Sequence, residues 1–198
     1  MSNLQSSDAT HEANDKTILG FWVYLMTDIV LFGSLFATYV VLRNNTYGGP
    51  GGSEIFEMPA ILVETLVLLT SSFTCGLAML AVRRKHLPWS LFWFGFTFLL
   101  GIIFLVLELA EFSHLIAEGY SWQRSGFLSA FFTLVATHGL HIAIGLLWLL
   151  VMGWQIVRHG FTNGVVRRLT LFSIFWHFLD IIWIFIFTVV YLMGALQV

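Results

Sequence analysis

His177 and Asp180 stand three positions apart in the apolar stretch Phe175-Trp176-His177-Phe178-Leu179-Asp180-Ile181-Ile182-Trp183. On an α-helix, positions i and i+3 share a face. His138 and His141 repeat that spacing upstream, and two histidines on one helix face can ligate a metal or haem. Asp28 is a lone acid in another apolar stretch, and Glu64, Glu108 and Glu111 complete the set. An ionisable side chain inside a membrane span is costly, so each should face protein and have partners.

The elements that must hold these residues are membrane helices. The chain of 198 residues is 58% hydrophobic and 10% charged, against about 25% charged in a soluble domain, and its mean hydropathy is +0.86. The charges collect between long apolar runs, which excludes one large soluble core. No basic stripe suggests nucleic acid as a partner. The single cysteine, Cys75, can form no intramolecular disulfide.

Residues 1–17 are polar and read as a mobile tail on the cytoplasmic side. Residues 18–198 read as a single transmembrane domain. Five apolar spans are predicted, at 18–42, 59–82, 89 to about 109, 127 to about 156, and 169–196. Each reaches the roughly 20 residues that a helix needs to cross the hydrocarbon. None alternates as the strands of a barrel would. Pro59 and Pro88 suit first helical turns, and Tyr47-Gly48-Gly49-Pro50-Gly51-Gly52 cannot continue a helix. The fold class is therefore all-α, an integral membrane bundle of five transmembrane helices.

Lys16, Arg83, Arg84, Lys85, Arg158, Arg167 and Arg168 fall on one side of this topology, leaving Arg43 and Arg124 on the other. The positive-inside rule puts the N-terminus in the cytoplasm and the C-terminus in the periplasm. At ~1.5 Å per residue, Asp28, His177 and Asp180 lie about 15, 12 and 16 Å from the inner face, and His138 and His141 about 14 and 9 Å from it. All five share one layer near the midplane. Glu64, Glu108 and Glu111 lie nearer the outside, within reach of water, the last two closing the third span.

The ligand inventory is short. His177 could join His138 and His141 on a metal, but no paired Glu-x-x-His pattern of a di-iron bundle occurs. Hydrogen bonding between helices is the preferred reading for the three histidines and Asp180. For Asp28 two readings stay open. Low dielectric disfavours an unpaired charge, so a neutral acid could exchange protons or bind a lipid head group; otherwise it is a satisfied bond to a neighbouring helix.

Several motifs carry a family resemblance: Phe175-Trp176-His177-Phe178-Leu179-Asp180 with Trp183, Thr137-His138-Gly139-Leu140-His141, Arg124-Ser125-Gly126-Phe127-Leu128-Ser129-Ala130-Phe131-Phe132, and Val63-Glu64-Thr65 followed by Leu68-Leu69-Thr70-Ser71-Ser72. The chain resembles subunit III of the haem–copper terminal oxidases, in particular that of bacterial cytochrome bo-type ubiquinol oxidases. Larger members of that family have seven spans, and this chain resembles the last five. Asp28 stands at the family's membrane carboxylate, which is Glu in mitochondrial members, and Glu111-Phe112 fits an acid–aromatic pair. Glu108 stands where many relatives carry Gln, and Glu64 where cytochrome c oxidases often have Asn.

The resemblance implies a non-catalytic subunit of a proton-pumping complex in the bacterial inner membrane. That complex would oxidise ubiquinol and reduce oxygen to water. Haem and copper would belong to the partner catalytic subunit, subunit I. This chain would bind no cofactor, pack against subunit I and other oxidase subunits, hold phospholipid and support proton uptake. Asp28, Glu64, Glu111, His138, His141, His177 and Asp180 would serve interhelical, lipid or proton-related roles. The alternatives are subunit III of a cytochrome c oxidase, a membrane metalloenzyme centred on His138 and His141, or an independent proton-coupled transporter. The last would be expected to show repeated halves or broken helices, and none is visible.

Overall fold

A computed structural model describes residues 2–49, 51–56 and 58–195, with side chains from residue 16 onward except those of 53 and 54. Pro50 in the glycine-rich turn and the last position of the fifth predicted span, Leu196, lie outside the described residues. The elements are α1 (Ser2–Leu42), a short α2 (Gly52–Ile55), α3 (Met58–Arg83), α4 (Leu87–Ala117), α5 (Gly126–His159) and α6 (Asn163–Ile186). A π-helical turn (Phe187–Leu192) and a last short helix, α7 (Met193–Ala195), extend α6. No strand occurs among the described residues. Five helical stretches are long and apolar enough to cross a membrane, as the apolar runs predict. Helix α1 also runs back through the polar segment ahead of residue 18.

Local chemistry sets the helix ends. Pro59 and Pro88 are the second residues of α3 and α4. Ser125 caps α5 by accepting the Leu128 N–H at 3.2 Å, and Thr162 caps α6 by accepting that of Val165 at 3.4 Å. The motif beginning Arg124-Ser125-Gly126 is thus a helix start. Helix α4 closes on Gly119, whose φ of +84° permits the bonds Gly119 N–H to Ile116 and Tyr120 N–H to Leu115. These two bonds form a Schellman motif. Lys85 adopts the same left-handed conformation at the end of α3, with φ of +55°.

One boundary differs from expectation. Helix α4 ends at Ala117, not near Leu109. Hydropathy falls from Glu108 onward, but helix propensity does not, and Leu115 still packs inward. Glu108 and Glu111 are therefore interior residues of a helix rather than its end.

Helices α3, α4, α5 and α6 enclose the core, and α1 lies across α5 and α6. It presents one stripe, Leu25, Asp28, Phe32 and Tyr39, and exposes most of the rest. Between membrane helices, packing and hydrogen bonds replace the hydrophobic driving force. Trp176 illustrates the packing. It is buried against Gly101 of α4 and Gly145 of α5, where an added Cβ would stand 3.1 and 2.9 Å from the indole.

The hydrogen bonds come from a ladder of hydroxyls on α3. Trp176 Nε1 donates to Ser71 Oγ at 3.0 Å, and Trp183 Nε1 donates to Thr65 Oγ1 at 3.1 Å. Thr74 Oγ1 bonds Thr97 Oγ1 of α4 at 2.8 Å. A buried indole N–H needs such an acceptor. Thr65→Val is therefore expected to strand the Trp183 donor at a cost of about 1–3 kcal/mol, while Thr65→Ser retains the bond. Cys75 supplies the readout. It is the chain's single cysteine and is buried, so the temperature at which maleimide reaches it reports opening of the bundle. Thr65→Val should lower that temperature and Thr65→Ser should restore it.

Candidate functional site

The midplane layer resolves into separate sites. Asp28 of α1 faces His141 of α5, with Oδ1 3.8 Å from Nε2. His141 Nδ1 lies 2.7 Å from the Thr137 carbonyl oxygen. That carbonyl can only accept, so Nδ1 carries a hydrogen and Nε2 is the nitrogen turned to Asp28. Tyr24, one turn before Asp28, lies within reach of the same carboxylate, and Phe32 packs on His141 at 5.2 Å between ring centroids. Helix α1 thus brings an acid, a phenol and an aromatic cover to a histidine of α5.

His138 shares the helix but not the site. It is fully buried among Trp183, Phe104 and Phe32, with the Trp183 ring centroid at 5.2 Å. Neither ring nitrogen has a hydrogen-bond partner. The expected interhelical bond is absent at His138 because its surroundings are aromatic rather than polar. Among the described residues no three His, Cys, Asp or Glu side chains converge as metal ligands.

His177 and Asp180 also leave the group that depth counting assembled. His177 Nδ1 bonds Ser72 Oγ of α3 at 2.7 Å. Its side chain opens onto the outer surface of the bundle, whereas Asp180 is buried with Oδ1 unpartnered.

The remaining acids occupy the end of the bundle away from the basic loops. Glu64 of α3 and Glu108 of α4 are both buried, each with one carboxylate oxygen lacking a partner. Glu111 is half-buried and accepts the Tyr191 hydroxyl at 3.1 Å. The π-helical turn after α6 carries Tyr191, and such turns re-aim side chains within a helix. The three carboxyls lie close enough for their charges to interact. A cavity of about 250 Å³ lined by Glu64, Glu111 and His114 opens beside them. Glu108 is not the water-reached helix end that its position suggested, because its carboxyl packs on Gly139 of α5. A Cβ there would stand 2.6 Å from Oε1.

The pattern predicted the acids and histidines but missed Thr65, Ser71, Ser72 and Tyr191. A signal for two of them was present: Thr65 and Ser72, hydroxyl side chains seven residues apart inside an apolar run, fall on nearly the same face of one helix.

These features define a class: a five-span helical membrane protein held by internal hydroxyl and aromatic contacts, with ionisable groups in separate pockets. A family model described as cytochrome c oxidase subunit III matches residues 3–195. The chain is 56% identical over 189 residues to cytochrome bo(3) ubiquinol oxidase subunit 3 of Pseudomonas aeruginosa, covering 96% of this chain and 90% of that one. It is 44% identical over 193 residues to quinol oxidase subunit 3 of Bacillus subtilis, covering 96% and 95%. It is 46% identical over 187 residues to cytochrome c oxidase subunit 3 of Bacillus sp. PS3, covering 94% and 90%. The chain belongs to the cytochrome c oxidase subunit III family.

Proposed function

We propose that this chain is the third subunit of a bacterial haem–copper ubiquinol oxidase, a proton-translocating oxidoreductase of the aerobic respiratory chain. The observation that carries the reading is the 56% identity to a ubiquinol oxidase subunit across almost the whole of both chains. The complex oxidises ubiquinol and reduces oxygen to water, while this chain stabilises its catalytic partner. The cytochrome c oxidase relative at 46% identity makes the electron donor the point to test.

Haem and copper are assigned to the catalytic subunit. This chain's own histidines fit them poorly: His138 lies in an aromatic cage, and His141 and His177 turn to different helices. The concentration of Lys and Arg at one end supports a cytoplasmic N-terminus and a periplasmic C-terminus in the inner membrane. Residues 18–198 act as one membrane domain behind a cytoplasmic tail. Asp28 and His141 hold an exchangeable proton in the cytoplasmic half. Glu64 and Glu111 serve proton or lipid contacts toward the periplasm. His138, His177 and Asp180 fix helices against one another, and phospholipid covers the exposed apolar faces.

Purification through this chain in mild detergent tests the reading. Co-purifying haem and quinol-driven oxygen uptake are the expected result; uptake driven by cytochrome c alone would assign the other donor, and a colourless lone chain would reject both. The proton role has its own test. Asp28→Asn keeps the shape but removes the exchangeable proton, so it should lower quinol-driven turnover while Cys75 stays protected. Unchanged turnover would leave Asp28 a helix contact only.

A further inference from the structure

The cavity between α3 and α4 takes the proposed contact role of Glu64 and Glu111 further and rests on it. It measures about 250 Å³ and has Glu64, Glu111 and His114 as its polar lining, with Ile61, Leu107 and Leu115 among its apolar walls. Glu64 lines this space although only 4% of its surface is exposed, and one of its oxygens has no partner. Tyr191 steadies Glu111 by donating to Oε2 at 3.1 Å. Glu108 adds a third carboxyl within range of both. No lysine or arginine lines the space. Of the two arginines at this end of the bundle, Arg124 bonds the Gly119 carbonyl oxygen and lies over Tyr120, and Arg43 lies within range of Tyr39.

Carboxyls this close repel as anions, so they need a counter-cation or must hold protons. Three observations point to the kind of cation. Among the described residues no three His, Cys, Asp or Glu converge as metal ligands, so the acceptors stand too far apart for a directly coordinated ion. A primary ammonium has three N–H donors that reach separate acceptors. Most of the wall is apolar, which suits a cation carried on a carbon skeleton. Glu64 and Glu111 each lie about 9 Å from the end of their helix. Helix α3 is about 9 Å longer than a ~30 Å hydrocarbon layer, so Glu64 stands within about 5 Å of the boundary with the head groups. Amines of lipids and of the aqueous phase both reach that depth.

We propose that the α3/α4 cavity is a binding site for a primary ammonium group, which Glu64 and Glu111 hold between them while the apolar wall takes its carbon skeleton. A phosphatidylethanolamine head group and a free alkylamine share that chemistry.

Carbodiimide coupling in the purified complex tests this. The carboxyl adds to the carbodiimide, a primary amine in contact displaces it as a urea, and an amide marks the acid that held the amine. One set of vesicles contains phosphatidylglycerol and phosphatidylethanolamine. The other replaces the latter by phosphatidylcholine, whose nitrogen has no N–H, and receives free ethanolamine. The expected product is an amine adduct on the peptides of Glu64 or Glu111. A lipid adduct in the first vesicles assigns the head group, and an ethanolamine adduct in the second alone assigns a soluble amine. Glu64→Gln should cut the Glu111 adduct by about tenfold, the worth of one charge-assisted hydrogen bond, and leave that of the exposed Glu118 unchanged. Glu111→Gln, read at Glu64, repeats the test should the first variant unfold, which Cys75 reports. Adducts at Glu118 alone, or a Glu111 yield insensitive to Glu64→Gln, would overturn the proposal. Quinol-driven turnover of the same vesicles separates the two claims. Turnover lowered by Glu64→Gln without any adduct sinks the ammonium site and leaves these acids a proton role, whereas no adduct and unchanged turnover sink both.

Discussion

Trp176→Ala should lower the temperature at which Cys75 becomes reactive more than any other single truncation in the bundle. The indole fills the space between Gly101 of α4 and Gly145 of α5 and donates to Ser71 of α3. One side chain on α6 thus joins it to three other helices. In lipid the usual transfer term of a core truncation shrinks, because hydrocarbon surrounds the bundle as well. The cavity term remains. A void on the order of 100 Å³ costs about 2–3 kcal/mol at ~24 cal/mol per Å³. The two glycines cannot collapse into it, since neither has a side chain to move. Trp176→Phe keeps part of the ring and should fall between alanine and the native residue. A Cys75 profile unchanged by Trp176→Ala would show that the α3/α6 contact does not depend on the indole.

The second large effect lies at Gly139. Its added methyl in Gly139→Ala would stand 2.6 and 2.9 Å from the two Glu108 carboxylate oxygens. A shift of helix or rotamer must relieve that overlap, at about 1–3 kcal/mol. The cost belongs to the pair rather than to the glycine, because the nearest atoms are all on Glu108. In a Glu108→Ala background the same substitution should cost less than about 0.5 kcal/mol, so the two changes must be non-additive. Additive losses in Cys75 protection would place the clash elsewhere.

Those contacts mark the boundary of what the residue pattern discloses. Apolar length alone determines five spans, and Pro59 and Pro88 mark two of their starts. Depth counting puts Asp28 and His141 in one layer, and the structure brings them face to face. The same counting misplaces His177 relative to them. Depth fixes position along a helix but not around it, and each residue turns the helix by about 100°. Which helix lies beside which is likewise a tertiary fact. Ser72 rather than Asp28 is the neighbour of His177 because α3, not α1, packs along that side of α6. Glu108 was hidden for a related reason. Its charge marks it as a span end, while its place against Gly139 depends on α5 bringing a residue without a side chain to that height.

Aromatic packing at His138, the Ser72–His177 bond and the Asp28–His141 pair each join helices in a different direction. These contacts are therefore spread over the bundle rather than gathered at one point.

The most direct measurement of that account is the haem spectrum of the separated subunits. Stepwise detergent should release this chain from the purified complex. Reduced-minus-oxidised haem bands and quinol-driven oxygen uptake should stay with the remaining subunits, and the released chain should be colourless. Haem bands travelling with this chain would contradict the account.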